Sequence, residues 1–161
     1  MTLIFNASPL IILAKSGLLS VVLRLPYAIK IPQAVAEEVG AYHDSLDASC
    51  LWLKTPAAVD TICAAPAPSE FVSAWGLGMG ESSVIALAES LPDSIAVLDD
   101  MAARRCAAAL NLPKVGTLGL LLMAKKAGFL SSICQALDAV AQAGLFISQK
   151  HIDEIRKRAG E

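Results

Sequence analysis

The spacing of apolar and polar residues changes repeatedly along this chain and divides it into alternating short strands and helices. Leu3 to Phe5 is an apolar run closed by Asn6, which fits a buried first strand. Ser8 and Pro9 then offer an N-cap and a first helical position for a helix through Leu10, Ile11, Leu13 and Ala14, ending near Gly17. Leu18 to Leu25 reads as a second helical run broken by Pro26, and Ala28 to Ile31 as a second strand. Pro32 opens a helix over Gln33 to Tyr42, in which Val35, Val39 and Tyr42 share one face. At about 100° per residue Glu38 lies roughly 60° from Val35, at the edge of that face, and Glu37 roughly 160° away, toward water.

The middle of the chain is less regular. His43 to Ser49 is polar and loop-like, Leu51 to Leu53 reads as a strand, and Ala57 to Ser69 carries too many prolines for a regular element. A short helix over Glu70 to Trp75 leads into the flexible turn Gly76 to Gly80, which has neither dinucleotide-binding nor P-loop spacing. The next helix, Glu81 to Leu91, opens on a carboxylate that shares an apolar face with Val84 and Ile85. Ile95 to Leu98 is an apolar strand ending at Asp99 and Asp100, and an Ala/Arg-rich helix follows. Leu112 to Val115 gives a brief strand, Thr117 an N-cap, and Leu118 to Ala127 a helix that is apolar nearly all round. Two further helices follow, one lined by Ile133, Leu137 and Val140, the other starting at Ser148. This alternation predicts one α/β domain over residues 1–161, a three-layer α/β/α sandwich on a mainly parallel sheet of four or five strands.

Composition supports a folded core: of 161 residues, 55% are hydrophobic and 17% charged, which argues against a disordered chain. The longest charge-free run, Met1 to Ala14, is too short to span a bilayer and follows no basic segment, so neither a membrane span nor a signal peptide is expected. The cysteines at 50, 63, 106 and 134 form no C-x-x-C pair and are accompanied by only two histidines. Reduced thiols in a cytoplasmic protein fit better than a zinc site. With a net charge of −2 the chain has no overall basic footprint for nucleic acid, so a bound polyanion would need local basic residues or cations.

The informative chemistry is acidic. Asp99 and Asp100 end one strand, Glu81 opens the helix before it, Glu38 edges a helix core stripe, and Asn6 ends the first strand, beside Asp99 and Asp100 in a parallel sheet. Ligands gather outside the carboxyl ends of strands in open α/β sheets. Like charges there need a cation or proton between them. Converging oxygen ligands suit Mg²⁺ or Mn²⁺. Taken singly, each has a plainer reading: a helix cap for the Asp pair, a dipole-favoured start for Glu81, a surface side chain for Glu38.

Their order along the chain carries more. F-N-A-S-P-L-I at 5–11, I-P-Q-A-V-A-E-E-V at 31–39, G-E-S-S-V-I-A-L-A at 80–88, L-D-D-M-A-A-R-R-C-A at 98–107 and G-T-L-G-L-L at 116–121 resemble a PIN domain. More narrowly they are similar to the VapC-like branch of nucleic-acid-binding PIN proteins. The resemblance implies a Mg²⁺- or Mn²⁺-dependent endoribonuclease, the toxin of a toxin–antitoxin pair. Its partners would be an RNA substrate, a small antitoxin protein and a second copy in a homodimer. Carried over by motif, Asn6, Glu38, Glu81 and Asp100 would be catalytic, with Glu38, Glu81, Asp99 and Asp100 holding metal. Ser8 and Thr117 would support the site, and Arg104 and Arg105 would contact nucleic acid. Asn6 departs from the aspartate of the wider family: its amide oxygen can coordinate but brings no charge and cannot act as a base. This motivates an alternative, a catalytically weak PIN-like module that binds nucleic acid or protein. A phosphoacceptor receiver domain would want its acidic pair after the first strand, where this chain has Asn6.

Overall fold

A computed structural model describes residues 1–42 and 46–161; the start of the polar stretch at His43 lies outside the described residues. Five strands form one parallel sheet: β1 (Thr2–Phe5), β2 (Ala28–Pro32), β3 (Ile62–Cys63), β4 (Ser94–Val97) and β5 (Lys114–Val115), in the order β3-β2-β1-β4-β5. Leu3, Ile4 and Phe5 are all buried, as are Ala96, Val97 and Leu98 at the other central strand. Successive strand residues point to opposite faces. Unbroken burial therefore means that both faces are covered, the arrangement in which strands are apolar throughout.

The helices among the described residues are α1 (Ala7–Lys15), α2 (Leu19–Val22), α3 (Gln33–Tyr42), α4 (Ala48–Leu53), α5 (Pro56–Val59), α6 (Glu70–Ser73), α7 (Met79–Ser90), α8 (Met101–Ala109), α9 (Thr117–Lys126), α10 (Ile133–Gln142) and α11 (Gln149–Ala159). Helix α7 packs on β1, β2 and β4 and against α3, which joins the two halves of the sheet over its central strands. No helix among the described residues is long and apolar enough to cross a membrane. All four cysteines are free.

Several elements differ from the sequence expectation. Leu51 to Leu53 is not a strand but the end of α4, which Asp47 caps by accepting from the Ser49 amide at 2.9 Å. The stretch from Ala57 holds α5 and β3, two elements too short to leave a period. The helical run expected over Leu18 to Leu25 is regular only over α2. Helix α1 begins one residue before Ser8, with Asn6 at its N-cap position. Helix α7 begins two residues before Glu81, and Thr117 is the first residue of α9 rather than its cap.

Candidate active site

Strand order reverses between β1 and β4: the chain moves from β1 outward to β2 and β3, then returns to β4 and β5. A crevice at such a reversal is where open α/β sheets bind ligands. Asn6 follows β1 directly and Asp99 and Asp100 follow the last residue of the β4 apolar run, so both chain segments open into it.

Asn6 is buried at 5% exposure. Its backbone is satisfied, the amide donating to Val97 O at 3.2 Å and the carbonyl accepting from the Leu10 amide at 3.4 Å. Its side chain makes no cap bond, and Oδ1 is the buried side-chain oxygen without a partner among the described residues. An unsatisfied buried acceptor costs about 1–3 kcal/mol. Across from it a β-carbon on Gly80 would overlap Glu38 Oε2 and stand 3.2 Å from Asn6 Oδ1. Glycine at 80 is thus what lets the Glu38 carboxylate and the Asn6 amide oxygen reach the same space.

Glu81 sits at the third position of α7, where its Oε2 accepts from the Gly78 amide at 3.1 Å. Its pKa is raised above the ordinary carboxylate value: burial pushes it up, the Gly78 amide opposes, and the charges of Asp100 and Glu38 push it further. Glu81 therefore feels carboxylates from two other segments of the chain. Glu37 and Glu38 line an open cleft of about 550 Å³ with Ala34, Ala41, Gly78 and Met79.

Asp99 and Asp100 part company. Asp100 is exposed and caps α8, its Oδ1 accepting from the Ala103 amide at 2.9 Å. Asp99 is half-buried and turned to α9: Oδ1 accepts from the Thr117 amide at 2.8 Å and Oδ2 from Thr117 Oγ1 at 2.6 Å. Asp99 is not among the charges acting on Glu81. Arg104 is half-buried and donates from Nη1 to Leu98 O at 2.9 Å, so its guanidinium is turned onto the end of β4, while Arg105 is exposed. Ser8 is exposed in the first turn of α1. Gly80 and Gly116, which carry no side chain to mark them as site residues, make the close approaches. The motifs G-E at 80–81 and G-T at 116–117 were the available signal.

Among the described residues no three His, Cys, Asp or Glu side chains form a ready-made metal cage. The donor chemistry nevertheless suits a hard divalent cation. An orphaned buried amide oxygen, a glycine that clears room for it, and carboxylates that repel one another are a set a cation would relieve. Long glutamate side chains can close on an ion without backbone movement.

No curated protein and no solved structure matches this chain. A family model described as a PIN domain, DUF3368, matches residues 2–161, and the chain belongs to that family, whose members are generally nucleases.

Proposed function

We propose that the chain is a Mg²⁺- or Mn²⁺-dependent endoribonuclease in which Glu38, Glu81, Asp100 and the Asn6 amide oxygen hold the metal. The observation that carries this is the orphaned Asn6 Oδ1 facing the Glu38 carboxylate across Gly80, beside a Glu81 whose ionised form burial and, to a lesser extent, Asp100 and Glu38 disfavour. A divalent cation bound there supplies charge neutralisation for a phosphodiester and acidifies a water molecule. The chain's own residues do the rest. Gly78 fixes Glu81 Oε2, which leaves Oε1 to face the cation. Asp99 is left out of the ligand set because Thr117 occupies both its oxygens. The role of toxin in a toxin–antitoxin pair, with a small antitoxin and a homodimer, rests on the resemblance of the motifs to the VapC-like branch.

Incubation of RNA with Mn²⁺ and either the wild-type protein or Asp100→Asn tests the reading. Cleavage slower by roughly a hundredfold in the variant is expected; equal cleavage by the two would assign the activity to a contaminating nuclease. Asn6 itself favours the second reading, a binding module with little chemistry, and Asn6→Asp in the same assay separates the two. A large gain in Mn²⁺ affinity and cleavage supports the binding module; no gain supports the amide as a working ligand.

A further inference from the structure

We propose that Asp99 is a positioning residue: with Thr117 and Arg104 it ties the end of β4 to the start of α9 and so fixes where the chain delivers the Asp100 carboxylate. The inference rests on the reading of Asp100 as a metal ligand. Three contacts converge on the backbone of Gly116. A β-carbon there would stand 2.8 Å from Asp99 Oδ1, 3.2 Å from Arg104 Nη1 and 3.3 Å from Leu98 O. Residue 116 must therefore be small for the knot to close. Thr117 is fully buried and spends both its amide and its hydroxyl on the one carboxylate. The amide belongs to the first turn of a ten-residue helix, where the dipole favours an anion.

The tie matters because the backbone pairing beneath it is short. Strand β5 has two residues, paired Ala96 to Lys114 and Val97 to Val115. On the β5 side the bond beyond this pairing is Leu98 N to Val115 O at 2.8 Å. Beyond it, Leu98 is packed in the core, its carbonyl accepts from Arg104 Nη1, and Asp99 is tied to α9 through the Thr117 amide and hydroxyl. Asp100 follows immediately, and its cap on Ala103 orients it relative to α8 rather than relative to α9. Residues that orient a metal ligand from behind typically change affinity by about 10–100-fold when removed.

The test is the Mn²⁺ dissociation constant of the full chain by calorimetry, at a temperature where circular dichroism shows each variant folded. Asp99→Asn keeps the shape but not the charge and is expected to weaken binding about tenfold. Thr117→Val should do the same, and Thr117→Ser, which retains both donors, should stay within about twofold of wild type. Asp100→Asn should lose about a hundredfold or more. A loss in Asp99→Asn as large as in Asp100→Asn would make Asp99 a ligand and overturn the proposal. Wild-type affinity in both Asp99→Asn and Thr117→Val would overturn it too, as would a Thr117→Ser as weak as Thr117→Val. Should Asp99→Asn fail to fold, the two Thr117 variants decide. If Asp100→Asn itself binds Mn²⁺ normally, the reading of the site falls and this inference with it.

Discussion

Glu81 carries opposed demands within one side chain. Its Oε2 stabilises the start of α7 by accepting from Gly78, while burial and the charges of Asp100 and Glu38 make the ionised form costly. A raised folded pKa means that the fold binds this proton more tightly than the unfolded chain does. Stability from this group is thus fully present below the unfolded value and is lost as pH rises through the raised one. Glu81→Gln keeps an acceptor for Gly78 and removes the charge. In chelator its melting temperature should exceed that of wild type by a margin that opens as pH rises above the ordinary glutamate range. Added Mn²⁺ should close or reverse the gap, because wild type gains a ligand that the variant binds less well. A variant less stable than wild type at neutral pH without metal would show that the carboxylates do not strain one another. The sequence marked Glu81 because a glutamate sat on an apolar face, and that conflict is the one the structure contains. It could not mark the orphaned Asn6 Oδ1, whose lack of a partner depends on what three other segments place around it.

At the scale of elements, side chains from distant segments finish what local sequence begins. Helix α10 starts at Ser132, whose hydroxyl accepts from the Gln135 amide, but two of its remaining free amides are met by Glu161, 3.0 Å from Ile133 N and 3.3 Å from Cys134 N. Lys125 at the end of α9 pairs with the same carboxylate. Lys125 and these amides hold the Glu161 carboxyl well below the usual carboxylate range. Its contribution is therefore present above the unfolded pKa and lost as pH falls through the folded one. Glu161→Gln should lower the melting temperature near neutral pH, with a difference from wild type that shrinks as pH falls below about 4. A difference independent of pH would mean that the contact is steric rather than ionic. Such caps explain which elements were legible. Helix α3 was readable over its whole length because Val35 and Val39 repeat with helical period and Pro32 precedes it. Helix α4 was not, since its cap is Asp47 and the three apolar residues read as a strand are too few to show a period. Strand β3 exists through pairing of Ile62 and Cys63 with Ile31 and Pro32, and a two-residue strand leaves no pattern in sequence.

For the molecule as a whole, the order β3-β2-β1-β4-β5 brings Asn6 to the acidic side chains that lie far along the chain. Their meeting was legible because parallel strands must end on one side. The different partners of Asp99 and Asp100 were not, because adjacent residues leaving a strand turn to opposite sides and nothing local says which goes where. The assembled crevice is negative on a protein that is itself negative, with 15 acidic against 13 basic residues and Arg104 turned inward. A basic nucleic-acid-binding surface loses affinity when Mg²⁺ is added, because the cation competes for the phosphates. This protein should behave in the opposite sense. With a labelled single-stranded RNA carrying cleavage-resistant phosphorothioate links, fluorescence anisotropy should show weak binding in chelator and tighter binding as Mg²⁺ is raised. Asp100→Asn should flatten that response, since the cation would then have one carboxylate fewer to hold it against the phosphate. Tight binding in chelator that weakens with Mg²⁺ would place the RNA on exposed basic residues such as Arg105 instead of in the crevice, and would separate nucleic-acid binding from the carboxylates altogether.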